Sequence, residues 1–151
     1  MPEAIESFKR AYELEADPTT ARNLAECYEK IGQKEEARRW YETALRGFDE
    51  ELTRGRWRDY LLYVRSFCAA KRNRYDEALG NIQEAMALRP EQSVYTFRAA
   101  QIYAMAGRRK EAYARIRQAV QKGYPREEFL DDPIFHGFQD DVRFRAILAT
   151  H

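Results

Sequence analysis

The sequence predicts an all-α fold, an α-solenoid of antiparallel helix hairpins, and three observations carry the prediction. Four segments open on Glu-Ala and continue with small or apolar residues at offsets of four and then three: Glu3-Ala4 with Phe8 and Ala11, Glu36-Ala37 with Tyr41 and Ala44, Glu77-Ala78 with Ile82 and Ala85, and Glu111-Ala112 with Ile116 and Ala119. Those offsets put each triplet on one helical face. The first alanines of the triplets lie 33, 41 and 34 residues apart, and a period near 34 belongs to stacked repeats rather than to one closed core. Five residues ahead of the second, third and fourth of these alanines stand Gly32, Asn73 and Gly107, types that accept a left-handed conformation where a helix ends. No segment sustains the period-two alternation of a strand.

Taken in order, Glu3 to Ala16 reads as an amphipathic helix with Ile5, Phe8, Ala11 and Tyr12 on its apolar face. It looks like the second helix of a hairpin whose first is absent, so 3–16 is expected to be a half-repeat with one open side. That open edge is either the mark of a longer array or a surface for self-association. Asp17-Pro18-Thr19 suits the start of a helix over about 19–31, with Leu24, Tyr28 and Ile31 in its stripe, and Gly32 turns it into the helix of Tyr41; together they form a repeat at 19–47. Seven residues beyond the common period lie between Gly47 and Arg56, where Phe48 and Leu52 continue the stripe, so this helix is expected to run on until Gly55 ends it.

The helix at 57–72 carries Trp57, Leu61, Val64 and Cys68 on one stripe and Tyr60, Tyr63 and Phe67 on another, which predicts neighbours on two sides. With its partner helix it fills a repeat at 57–89, and the helix at 92–106, turning at Gly107, opens a repeat at 92–122. Asp131-Asp132-Pro133-Ile134-Phe135 is echoed nine residues later by Asp140-Asp141-Val142-Arg143-Phe144. Each Asp-Asp can cap a helix N-terminus and Pro133 suits a first helical position, giving short helices at about 133–138 and 142–149. Their apolar residues are expected to make 127–151 a cap over the outer face of helix 109–122. All of 1–151 is then one domain.

Composition agrees and excludes several functions. The 151 residues are 44% hydrophobic, 13% aromatic and 34% charged, enough for a buried core under a solvated surface. The longest apolar runs, such as Leu61-Leu62-Tyr63-Val64, fall far short of the roughly 20 residues that span a bilayer. The first residues have neither the basic nor the apolar part of a secretion signal, so a cytoplasmic location and no membrane contact are expected. Cys27 and Cys68 sit in apolar helical stretches, and His136 and His151 are the only histidines. Neither a metal site nor a Ser/His/Asp set can be assembled from these parts, so no catalysis, metal or cofactor is expected. The net charge of +1 hides an asymmetry: residues 1–53 carry 8 basic and 13 acidic side chains, 54–126 carry 16 and 6, and 127–151 carry 2 and 6.

The phased triplets, the Gly and Asn turns, Tyr28 and Tyr103 late in the first helices, and Glu-Ala-Met-Ala-Leu-Arg-Pro at 84–90 resemble the tetratricopeptide repeat family over about residues 3–124. The ending, with Gly123-Tyr124 followed by the paired Asp-Asp units, is similar to that of many bacterial members, which implies a bacterial source. The resemblance implies a right-handed solenoid that binds a protein or peptide in a concave groove lined by the first helices. Position by position, the lining would be Arg22, Glu26 and Glu29, then Tyr63, Phe67 and Ala70, then Phe97, Gln101 and Ala104. Such a groove suits a segment with one large apolar anchor, Phe97 being its partly exposed receptor, and a basic residue near Glu26 and Glu29.

The chain departs from the family at Arg65 and Ala69, where a large apolar residue and a tyrosine are usual, so Tyr63 and Phe67 are either groove or core in a shifted register. Glu26, Val64 and Val94 stand where a two-carboxylate clamp would need Asn, Asn and Lys, which disfavours binding of a chaperone's C-terminal tail even though Arg22 and Arg98 keep positive charge. Two further functions remain in view. One is a structural or regulatory segment of a larger multidomain protein. The other, disfavoured, is nucleic-acid binding through Arg54, Arg56, Arg58, Lys71, Arg72 and Arg74, with Trp57, Tyr60 and Tyr75 as stacking residues.

Overall fold

The computed structural model describes residues 1–149. Its regular elements are helices: α1 (Pro2–Leu14), α2 (Pro18–Lys30), α3 (Lys34–Thr53), α4 (Arg58–Lys71), α5 (Tyr75–Leu88), α6 (Ser93–Met105), α7 (Arg109–Gln121), α8 (Arg126–Asp131), a 3₁₀ helix (Pro133–Phe138) and α9 (Val142–Ala149), with no strand among the described residues. Helix α2 packs on α3, α4 on α5 and α6 on α7, and the hairpins join through α3 with α4 and α5 with α6. The inner helices also meet, α4 against α6. Helix α1 lies on α2 at one end, while α9 lies on α7 and the 3₁₀ helix on α6 at the other. This is a helical solenoid.

One turn is used three times to make the hairpins. Gln33, Arg74 and Arg108 donate their amides to the carbonyls of Tyr28, Ala69 and Tyr103 at 2.9 Å, closing the last turn of the preceding helix around a left-handed residue. Those residues are Gly32 (φ 78°), Asn73 (φ 59°) and Gly107 (φ 73°). The paired bonds satisfy carbonyls that a helix end leaves bare, and the left-handed step reverses the chain within three residues. At helix starts, Asp17 Oδ2 accepts from the Thr20 amide at 3.0 Å, and Asp132 and Asp141 accept from the amides of Ile134 and Arg143 at 2.9 and 2.8 Å. The aspartates singled out in the sequence therefore cap α2, the 3₁₀ helix and α9.

Three of the four triplets are buried, including Tyr41, Ile82 and Ile116. The first departs from expectation: Ala4 and Phe8 are half-buried, Ala11 is exposed, and Ile5 is the buried residue of α1. Helix α1 has a neighbour on one side alone, so its stripe is covered on that side and by the edge-on contact of Tyr12 with Trp40 at 5.1 Å. Helix α3 runs 20 residues and Gly55 (φ 72°) follows its end, as Phe48 and Leu52 foretold. Gly47 lets α3 pass close to the start of α2: a Cβ there would stand 2.7 Å from Cβ of Pro18.

Trp57 is the second correction. It precedes α4 in a left-handed conformation (φ 55°), 75% exposed, so the apolar stripe of that helix begins at Leu61. The extra residues of α3 explain Arg65. Its guanidinium is buried and donates to Asp49 Oδ1 (2.8 Å) on the extension of α3, and to Asn81 Oδ1 (2.7 Å) and Glu77 on α5. Burial opposes the charge, but the hydrogen bonds to Asp49 and Glu77 outweigh it and hold Arg65 more firmly protonated than free arginine. Arg65 joins three helices where an apolar residue would join two.

Candidate peptide-binding groove

The stripe expected to line a groove divides into two halves. On α2, Arg22 and Glu26 are half-buried and approach to 3.8 Å, and Arg22 Nη2 donates to Asn23 at 3.0 Å. Glu29 accepts from Tyr41 Oη at 3.1 Å and from Lys71 Nζ at 2.9 Å. The burial of Tyr41 and the negative charge of Glu29 raise the Tyr41 hydroxyl far above its ordinary range, so it stays a donor. Glu26 and Glu29 thus already have cationic partners within the chain, and the expected basic ligand residue would compete with Arg22 and Lys71.

On α4, Tyr63 and Phe67 are half-buried while Ala70 is buried, which leaves edges of both rings open beside α6. Between α4 and α6 lies a residue absent from the expected lining. Arg98 is 9% exposed, and its guanidinium carbon stands 4.5 Å from the Tyr63 ring centre and 4.4 Å from that of Phe67. One of its nitrogens donates to Tyr63 Oη at 3.1 Å, whereas Nε and Nη1 have no hydrogen-bond acceptor. Arg22 Nε is likewise buried without an acceptor. The ring faces offset part of the cost of burying the charge, but unpaired N–H groups in low dielectric still favour a nearby acceptor. Arg98 was legible as an arginine inside the otherwise small, apolar or neutral run Tyr95–Tyr103, every member of which is buried.

Phe97 is the third correction. The expected half-exposed anchor is 7% exposed, stacked on Tyr124 at 4.3 Å and edge-on to Phe129 at 4.9 Å. Helix α8, which the sequence reading did not foresee, brings Phe129 there, and the 3₁₀ helix adds Phe135 at 5.9 Å. Gln101 is also buried and donates through Nε2 to Asp132 Oδ2 at 2.6 Å. These two side chains face the C-terminal helices, and Ala104 is half-buried. The surface that remains open runs from Arg22 on α2 to the Tyr63, Phe67 and Arg98 cluster.

The basic stretch is largely neutralised. Arg54, Arg58, Lys71, Arg72 and Arg74 pair with Glu51, Glu84, Glu29, Glu42 and Glu77 at 2.6 to 2.9 Å. Cys68 lies fully buried, and burial pushes its thiol up to about 12, so it offers no thiolate at neutral pH. No helix among the described residues is long and apolar enough to cross a membrane.

Hairpins of this length, turned on a left-handed residue and stacked with small-aromatic-small or small-Ile-small triplets inside, define a class of helical-repeat scaffolds. Residues 20–54, which span most of α2 and all of α3, match the family model for the tetratricopeptide repeat. That stretch is similar to a tetratricopeptide repeat, and such repeats are generally protein–protein interaction modules. Comparison with curated proteins gave no match.

Proposed function

We propose that this chain is a non-catalytic interaction module that holds a peptide segment of a partner protein along its inner helices, from Arg22 to the Tyr63, Phe67 and Arg98 cluster. The observation that carries the reading is Arg98, a buried cation against two half-buried aromatic rings, with two of its nitrogens lacking an acceptor. A ligand that lays an apolar side chain on the open parts of Tyr63 and Phe67 and brings a carboxylate beside them would meet the Arg98 charge across the rings, without a direct hydrogen bond to its buried nitrogens. Phe97 and Gln101, offered first as contacts, act behind this surface by holding α6 against the C-terminal helices. Glu26 and Glu29 serve at its other end by fixing Arg22 and Lys71.

Selection of binders from a random peptide library tests this. Enriched peptides should share an acidic residue next to a large apolar one. Phe67→Ala and Arg98→Gln should each weaken them at least about tenfold, equivalent to about 1.4 kcal/mol, with the helical circular dichroism retained. Binders indifferent to both substitutions would place the interaction surface elsewhere.

A further inference from the structure

At the C-terminal end of the stack, residues of α7 and α9 line an open groove of about 590 Å³. Its floor includes Val120, Ala146 and Ile147, and its walls carry Lys110, Arg117 and Arg143. Among the described residues none of these three cations stands within ion-pair distance of a carboxylate, unlike most arginines of the chain, and only Lys110 shares the field of a nearby carboxylate, that of Glu111, so the groove joins apolar surface to net positive charge. Val142, exposed at the start of α9, extends the apolar surface beyond it.

The opposite end of the molecule presents the complement. The outward face of α1 shows Glu3, Glu6, Ser7, Arg10, Ala11 and Glu13 to solvent. Arg10 pairs with Glu6 at 3.4 Å, leaving Glu3 and Glu13 without an ion-pair partner among the described residues. Ser7 and Ala11 are short enough to let a helix backbone approach another surface closely. Leu14, at the end of α1, is 90% exposed, the most open large apolar side chain among those described.

We propose that copies of this chain associate head to tail, with the outward face of α1 of one copy seated in the α7/α9 groove of the next. The carboxylates of Glu3 and Glu13 meet Lys110, Arg117 and Arg143, and Leu14 finds the apolar floor or Val142. Opposite charges bring the two ends together and fix their register, while the apolar contact holds them. The two surfaces are different patches on the same molecule, so the contact is heterologous, and each added copy presents a fresh groove. Growth is therefore open-ended and does not stop at a symmetric dimer.

Sedimentation velocity over a concentration series tests this. The chain should grow progressively at low ionic strength and shrink toward monomer as salt shortens the screening length from about 10 Å at ~0.1 M to about 3 Å at ~1 M. Arg117→Glu with Arg143→Glu should be monomeric, and so should Glu3→Arg with Glu13→Arg, since each gives both ends the same sign. Mixing the two variants should restore growth, because each acidic groove then meets a basic α1. All four side chains are exposed and without an ion-pair partner among the described residues, and unchanged circular dichroism confirms that the variants fold. A chain that stays monomeric throughout, a species that stops at a dimer, or a mixture that fails to grow overturns the proposal.

Discussion

At residue scale the clearest case is Phe97, which the repeat pattern assigns to a ligand and the structure assigns to the core. Phe97→Ala removes a ring that touches Tyr124, Phe129 and Phe135, and should cost about 3–5 kcal/mol of stability in urea denaturation. A loss under about 1 kcal/mol would return it to the surface. The pattern misleads here because it fixes which face of α6 a residue occupies but not what covers that face. Gly47→Ala tests the approach of α3 to α2: the new Cβ meets the Pro18 ring, so a loss of about 1–3 kcal/mol is expected where alanine would ordinarily favour a helix.

Acid stability follows from Glu77. Burial works to raise its pKa, but hydrogen bonds from Arg65 and Arg74 and their charges outweigh it and hold the carboxyl below its ordinary value of 4.5. A depressed folded-state pKa contributes stability that is present above the unfolded value and lost as pH falls through the folded one. Urea midpoints should therefore decline below about pH 4.5. Glu77→Gln should be less stable at neutral pH and show a shallower decline in acid.

Among the elements, the long helices were legible because each has a full amphipathic stripe and a Gly or Asn after it. Ala78→Leu or Ala112→Leu should overpack a fully buried hairpin seam and cost about 1–3 kcal/mol. Helix α8 escaped the sequence reading because six residues hold fewer than two turns, too short for a periodicity to show. Trp57 was misplaced for the opposite reason. Its spacing from Leu61 fits a helical stripe, yet the chain is still reversing at Trp57 and helical geometry begins one residue later. The C-terminal helices were read correctly as short and Asp-capped, and their rings continue the core beyond Phe97 through Phe135, Phe138 and Phe144.

Over the whole molecule, contacts are made mainly between neighbours along the stack, so stability is distributed unevenly from end to end. Helix α1, with one buried side chain, should be the first element to open, whereas α6, buried on all sides, should be among the last. Amide hydrogen exchange should show α1 exchanging well before α4 and α6 at neutral pH. Equal protection in α1 and α6 would mean that the array opens only as a single unit. Arg22, Tyr63 and Phe67 came from the resemblance to the repeat family rather than from spacing alone, and all three are half-buried on the inner helices. The limits of the inner-helix surface were not legible, because they depend on how α8 and the 3₁₀ helix fold back over α6.

The two tryptophans, described above for their packing, also make the chain its own fluorescence reporter. Trp40 is half-buried edge-on to Tyr12 of α1, whereas Trp57 stands in solvent at the start of α4. Indole emission shifts to longer wavelength in water, so in the native state nearly all of the remaining spectral shift belongs to Trp40. Detachment of α1 hydrates that ring while Trp57 changes little, and a red shift that precedes the loss of helical circular dichroism would register the opening of one end of the stack without any added label. With Trp57→Phe the signal should simplify to a single emitter and keep the same early transition.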